Sequence, residues 1–339
     1  MSQQATAPRM ADVARAAGVS TMTVSRAFRA DASVSDKRRD EILRIAEEMG
    51  YIFDRSASEL RTKRTGFVAV TVPSINNPNF ADSVRGLTDT LAEWGLEVLL
   101  GYTNYRIDQE EQMVRQLLRR KPEALVVTGS THTGAARQRL ARAQIPIIEC
   151  WDEPADPVGY SVGFSNPDVG AMMAEHLIGK GYRKIAFISG DTDFDTRGVA
   201  RRKGFMTKLA DAGLDATRLI TAGWPPVGAS HGADGARQIM RDYPDTEAVM
   251  CVADVAAFGA LTEFQRVGKS VPHDIAVAGF GAFDVSAFSI PPITTIDPNA
   301  YEIGREAGLL IGSLLRGDAD VHRPPHRAVA PMLVARAST

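Results

Sequence analysis

From Gly66 onward the chain alternates short apolar runs with longer amphipathic ones, and that alternation restricts what it can fold into. "GFVAVTVP" has the length of a strand. In "ADSVRGLTDTLAEWG", Val84, Leu87, Leu91 and Trp94 recur at helical spacing. "LEVLLGYT", "EEQMVRQLLRRK" and "PEALVVTG" continue the cycle, and "ARQRLARAQ" and "IPIIECW" repeat it. Helices of ten or more residues between short apolar strands predict βα units around a parallel sheet. After Phe164 the cycle restarts, from "VGAMMAEHLIGKGY" and "KIAFISGD" to "AAFGALTEFQRVG" and "DIAVAGFG". The result is two consecutive α/β sets of similar size. Ligands of such folds bind at the carboxyl ends of strands near switch points, so two sets side by side put those ends across a cleft.

The first 66 residues follow a different pattern. Met10, Val13, Ala14 and Ala17 step i, i+3, i+4, i+7, which is one helical face. Gly18 ends that helix, and Ser20 is a good N-cap for the next. There Val24, Ala27 and Phe28 share a face, which leaves Thr21, Met22, Ser25 and Arg26 pointing elsewhere. Two short helices joined by a glycine turn make a helix-turn-helix. A third helix follows Ser35, with Ile42, Ile45, Ala46 and Met49 on one face and Gly50 at its end. The pattern also suits a helical hairpin packed on the rest of the chain. Against that reading, Thr21, Met22 and Arg26 sit exposed on the N-terminal half of helix two, where a recognition helix meets the major groove. Arginine pairs bidentately with guanine, and an apolar side chain touches a thymine methyl. Charge points the same way. Residues 1–66 carry 12 Lys/Arg against 9 Asp/Glu, and the remainder 27 against 32, within a net charge of −2. A small basic head on an acidic body fits a DNA-binding head.

"MADVARAAGVSTMTVSRAFR", followed by "VSDKRRDEILRIAEEMGYIFDRSASELRTKRTGFVAV", resembles the head and hinge of the lactose/galactose repressor family. Those proteins open on D-V-A…G-V-S…T-V-S-R, then G-Y-x-x-(N/D)-R-x-A-x-x-L and a strand of Ile/Val. The resemblance implies that Thr21, Met22 and Arg26 read bases. It implies that Ser20, Thr23 and Ser25 contact phosphates or cap the helix. "RSASELR" then corresponds to a hinge helix that orders on DNA and wedges Leu60 into the minor groove. An apolar wedge that unstacks a base step bends the duplex, and seven residues are too few for a helix stable alone. By its residues alone this stretch reads as a linker with one leucine.

The expected fold is an all-α helix-turn-helix head plus an α/β body similar to periplasmic sugar-binding proteins, with two Rossmann-like lobes. The divisions are 1–53 for the head, 54–65 for the hinge, and 66–339 for effector binding and dimerisation. Lobe one takes about 66–163 and 292–322, and lobe two about 164–291 and 323–339. Family positions place Asn79, Phe80, Thr128 and Trp151 of lobe one, and Arg197, Arg201 and Trp224 of lobe two, against the effector. Phe80 also suits the core, and the two tryptophans also suit covering hydrophobic edges. Sugar-responsive relatives usually carry an Asp after "AVAGF"; here Gly281 stands there, with Asp284 three residues on. Positions 150 and 165, often acidic in the family, are Cys and Ser. Fewer carboxylates beside two arginines suggest an anionic ligand, since Arg pairs bidentately with carboxylate or phosphate. "VPSINNPNFADSVRGL", "TGSTHTGAARQRLARAQIPIIE" and "VGFSNPDVGAMMAEHLIGKGYRKIAFI" most resemble the gluconate-operon repressors within the family. That implies a sugar-acid effector such as gluconate, with ketogluconates and idonate open.

Other classes fare worse. "GFGAFD" lacks the third glycine of a dinucleotide fingerprint. There is no Walker lysine motif. An enzyme and a metal or other cofactor are therefore not expected. A sugar-transport protein would carry a secretory leader, and "MSQQATAPRM" has no apolar core. No run reaches the ~20 apolar residues of a membrane span. Cys150 and Cys251 are the only cysteines, which suits a reducing compartment. The expectation is a cytoplasmic homodimer that binds double-stranded operator DNA and a small sugar acid, without a membrane partner. The same fold acting as an activator or a co-repressor-dependent regulator, with a phosphorylated sugar among its candidate effectors, stays open.

Overall fold

A computed structural model describes residues 7–28, 33–53, 65–190, 195–317 and 326–339. The chain divides into two compact units, Met1–Thr65 and Gly66–Thr339.

The first unit has three described helices, α1 (Met10–Ala16), α2 (Thr21–Ala27) and α3 (Asp36–Glu48). Ser20 caps α2, its Oγ accepting from the Thr23 amide at 3.1 Å. Gly18 makes the turn between α1 and α2 at φ +63°. Ser35 precedes α3 without a side-chain cap bond. Val13, Ala14, Ala17, Val24, Ala27, Ile42 and Ala46 form the core. Only three of these are larger than alanine, and each contributes roughly 2 kcal/mol by burial. Further support comes from Phe28, which stacks on Phe53 at 4.7 Å and meets the edge of Tyr51. The Arg38 guanidinium closes the turn by donating to the Ala17 carbonyl at 3.0 Å. The segment 54–64, with Leu60 and most of the expected hinge, lies outside the described residues.

The second unit opens with β1 (Phe67–Val72), α4 (Pro78–Ala92), β2 (Glu97–Tyr102), α5 (Ile107–Arg119), β3 (Leu125–Thr128), α6 (Gly134–Arg142), β4 (Ile147–Cys150) and β5 (Tyr160–Gly163). Then come α7 (Asn166–Gly179), β6 (Ile185–Ser189), α8 (Thr196–Asp211), β7 (Leu219–Thr221), α9 (Ala229–Asp242), β8 (Ala248–Cys251), α10 (Asp254–Arg266) and β9 (Ala276–Ala278). The chain closes with α11 (Asp284–Phe288), β10 (Thr295–Asp297), α12 (Ala300–Arg316), β11 (His326–Ala328) and β12 (Met332–Val334).

Two parallel sheets result, ordered β11-β5-β4-β3-β1-β2 and β7-β6-β8-β9. Each reverses its winding beside its first strand, so the switch points lie next to β1 and β6. Side chains alternate across the first sheet as a period of two requires. Val68, Val70 and Val72 join the main core, while Ala69, Leu125 and Val127 face the core containing Val114, Leu117 and Leu140. On that second side His132 is locked between two carboxylates. Its Nδ1 is 2.6 Å from Glu110 and its Nε2 is 3.1 Å from Glu149. Glu149 also accepts the Val158 amide.

The lobe boundaries differ from the sequence expectation at the C-terminal end. Residues 293–296 still belong to the second lobe: Gly279 N donates to Thr294 O, and Gly281 N to Ile296 O. The chain returns to lobe one at α12, which packs on α4 through the Ser83 hydroxyl and the Ala300 carbonyl. It then adds β11 to the first sheet, parallel to β5. The Pro291–Pro292 pair at the expected 291/292 boundary is therefore a loop within lobe two, and 326–328 belong to the first sheet rather than to that lobe. The tail strand β12 pairs antiparallel with β10, not with the β6–β9 sheet. Beyond it, Ser338 bonds Val277 through both backbone and hydroxyl.

Candidate functional site

On the first unit, helix α2 turns Val24 and Ala27 into the core and leaves Thr21, Met22 and Arg26 exposed; Met22 is 63% exposed. Met22 and Arg26 are four apart and so share a face. Burying the side chain of a methionine would be favourable, and the fold instead presents it to solvent. Ser25 is half-buried, and Thr23, also half-buried, bonds through its Oγ1 to the Ser20 hydroxyl. Ser20 thus has a visible capping role.

The second unit holds a cleft of about 250 Å³ at the carboxyl ends of both sheets. Lobe one contributes Asn77 and Asn79 after β1, Tyr105 after β2 and Trp151 after β4, together with Phe80 on α4. Lobe two contributes Asp195, Arg197 and Arg201 from the start of α8. A second wall of that lobe follows β7, β8 and β9, with Pro225, Val252, Phe280 and Phe283 among its residues. Phe80 meets the edge of Trp151 at 5.3 Å, and Trp151 meets Phe164 at 6.1 Å. Each is about 95% buried. Phe80 and Trp151 are core residues and cleft wall at once, which dissolves the choice the sequence left open.

The arginines are buried too. Arg201 lies with its guanidinium 4.2 Å over the Phe280 ring. Its Nη1 donates to Asn166 Oδ1 at 2.7 Å, while its Nε has no hydrogen-bond partner. Burial lowers its pKa from the usual value, and Asp195 opposes that shift. Arg197 crosses the cleft: its Nη1 donates to the Thr128 carbonyl at 3.1 Å, and its guanidinium sits 5.7 Å from the Phe80 ring. The seat it occupies lies over Gly129, whose φ is +92° and where a Cβ would come within 2.5 Å of that nitrogen. Asn166 completes a second link between lobes, its Nδ2 donating to the Trp151 carbonyl at 3.0 Å.

Two expected lining residues are elsewhere. Thr128 ends β3, but its hydroxyl donates to Thr71 O at 2.8 Å, and only its carbonyl serves the site. Trp224 is 61% exposed and outside the lining; the neighbouring Pro225 and Pro226 take that place. Strand-end position was read correctly in both cases, and side-chain direction was not.

Sequence reasoning also missed Tyr105, Asp195, Phe280 and Phe283. Burial, then Asp195, push the Tyr105 phenol up to about 12, so it remains a neutral hydroxyl. Asp195 corrects the charge reading: two guanidiniums of the described lining face one carboxylate, an excess of one positive charge. Asp254, also unforeseen, holds the loop carrying the two phenylalanines. It accepts from Phe283 N at 2.8 Å and from the Thr295 hydroxyl at 2.6 Å, and its amide donates to Phe280 O. Burial raises its pKa to about 6. Its signal in the sequence was a carboxylate directly after the apolar strand "AVMCVA". Among the described residues no cluster of ligating side chains fits a metal ion.

Comparison with known proteins places both parts. The profile described as "Bacterial regulatory proteins, lacI family" matches residues 9–54, and "Periplasmic binding protein-like domain" matches 174–339. The HTH-type transcriptional regulator GntR of Pseudomonas aeruginosa is 33% identical over 310 residues, covering 91% of this chain and 90% of that protein. The chain belongs to the lacI family of bacterial regulatory proteins.

Other relatives of this lacI-family chain include the HTH-type transcriptional regulator GntR of Escherichia coli strain K12, 30% identical over 92% of this chain and 93% of that one. A crystal structure of a LacI family transcriptional regulator from Silicibacter pomeroyi is 43% identical, with a TM-score of 0.76, covering 80% of this chain and 98% of that chain. The lac repressor dimer bound to operator is 23% identical and matches in fold, with a TM-score of 0.84 over 98% of this chain and 99% of that one. The relatives named are transcriptional regulators rather than enzymes, and this chain is a DNA-binding transcriptional regulator. Among the described residues no helix is long and apolar enough to cross a membrane.

Proposed function

We propose that this regulator is a cytoplasmic homodimeric repressor whose hold on a pseudo-palindromic operator weakens when a sugar acid, gluconate or a close relative, occupies the cleft. Arg201 carries this reading. A buried polar group without a partner calls for an explanation, and Arg201, which lines the cleft and has an unpartnered Nε, carries a guanidinium suited to an anion. The excess positive charge of the lining and the resemblance to gluconate-operon repressors support the same class of ligand. Thr21, Met22 and Arg26 read the major groove, with Ser20, Thr23 and Ser25 near the phosphates and Leu60 as a minor-groove wedge.

Effector and operator act through linkage. The acid favours one lobe arrangement and DNA the other, so each weakens the other's binding, typically by about 5–150-fold. Calorimetry with gluconate and glucose, paired with operator titrations, tests the proposal. The expected outcome is binding of the acid, little binding of glucose, and a reduced operator affinity at saturating acid. Tight binding of glucose without binding of gluconate overturns the effector class. Arg26→Ala is expected to weaken specific operator binding and leave acid binding unchanged; equal operator affinity refutes the assignment of α2.

A further inference from the structure

Asn166 is the first residue of α7, directly after the crossing between lobes, and it is fully buried. Ser165 caps that helix, its Oγ accepting from the Asp168 amide at 3.3 Å, so the Asn166 side chain is left for other partners. Its Nδ2 donates to the Trp151 carbonyl at 3.0 Å and to Asp152 Oδ1 at 3.3 Å. Two acceptors on that side fix which way the amide points, and its Oδ1 then accepts from Arg201 Nη1 at 2.7 Å. Rigid packing holds the pair. Helices α7 and α8 meet backbone to backbone, for a Cβ at Gly170 would collide with the Arg201 carbonyl and one at Gly204 with the Pro167 carbonyl.

This partner is neutral, and its neutrality bears on what Arg201 binds. Among the described residues the bond to Asn166 is the one hydrogen bond of the guanidinium, which has no ion pair there. Burial works against its charge, Asp195 supports it and Arg197 works against it. Asp195 is engaged at the Gly198 amide and Asp152 at the Ser130 hydroxyl, and neither bonds to Arg201. A buried cation without a paired anion is costly, and a ligand carboxylate offsets that cost through charge-assisted hydrogen bonds. A carboxylate at position 166 would offset it from within the protein. We infer that Asn166 sets the charge preference of the cleft: it holds Arg201 in place as a neutral partner, so the negative charge comes from the ligand. Asn166 does not line the cleft and acts through Arg201, as a positioning residue. The inference rests on the acid reading and deepens it, by naming the residue that makes the site select an acid over a neutral ligand of the same shape.

The test is calorimetry on the full chain with gluconate and with gluconamide, its neutral isostere. The wild type is expected to prefer gluconate about 30-fold, the usual worth of a charged hydrogen bond. Asn166→Asp is expected to bring the two ligands within about 3-fold of each other, while Asn166→Ala, which removes the amide without adding charge, keeps a preference of about 10-fold or more. A merely structural role would move both ligands together and leave their ratio as it was. In Asn166→Asp the carboxylate also meets the Trp151 carbonyl and Asp152, so a melting curve checks the fold. If it unfolds, Asn166→Asp combined with Asp152→Asn supplies the missing donor and is read with the same expectation. A folded Asn166→Asp protein that keeps the full preference, or an Asn166→Ala protein that loses it, overturns the inference and leaves the acid reading standing. Gluconamide binding to the wild type as tightly as gluconate overturns the acid reading, and the inference with it.

Discussion

At the scale of single residues, Arg201 shows how one side chain does two jobs. One terminal nitrogen is committed to Asn166, with the guanidinium lying on Phe280, and the Nε has no hydrogen-bond partner, which suits it to the second job proposed above, holding an acid. A lysine supplies the charge without the planar fork or the stacking. Arg201→Lys is therefore expected to weaken sugar-acid binding by roughly 30-fold, the equivalent of about 2 kcal/mol for a charged hydrogen bond. Operator affinity of the ligand-free protein should stay as it was. A variant that binds the acid normally in calorimetry removes Arg201 from the site. The same scale explains why Thr128 and Trp224 were misplaced from sequence. Both stand at or just beyond strand ends, where the fold rule puts ligands, but the rule is silent on which way a side chain turns. Thr128 turns back to the Thr71 carbonyl, and at the next strand end prolines, not Trp224, meet the cleft. Tyr105 was unreadable for a related reason: its φ is +58°, a turn conformation no apolar periodicity encodes.

At the scale of elements, the periodicity was legible wherever burial alone sets it. The helix faces of α1, α3 and α4 follow the apolar spacing, because one stripe meets a core. The later lobe crossings were not legible, since a proline pair marks a turn as readily as a passage between lobes. The Glu110–His132–Glu149 lock also escaped notice, because its members lie on α5, on the loop before α6, and on β4. It makes a prediction about these elements together. Burial alone would lower the His132 pKa, and the two carboxylates overcome it and raise the value to about 9 from 6.5. The folded state therefore holds this proton more tightly than the unfolded chain. Its stabilisation is complete below pH 6.5 and is lost as pH rises through 9, on the order of 3 kcal/mol. Denaturant unfolding across pH 6.5–9 should show stability falling in the wild type and a flatter profile in His132→Gln. Equal slopes would mean that the imidazole carries no such proton.

At the scale of the whole molecule, the second unit joins its lobes by hydrogen bonds as well as by chain crossings, and one of these bonds sets a quantity of practical interest. Arg197 of lobe two donates to the Thr128 carbonyl of lobe one. Every substitution of Thr128 keeps that backbone carbonyl, so the rung is insensitive to the side chain at its own address. Its vulnerable point is the neighbour, Gly129, where any Cβ would fall on the arginine's nitrogen. In a reporter assay, Gly129→Ala should move the half-maximal effector concentration while leaving the fully induced and uninduced plateaus nearly in place; an unshifted midpoint would show that the rung does not count. The sensitivity of a gene switch would then be written at a position that touches neither the inducer nor DNA, and a sensor built from this chain would be retuned there.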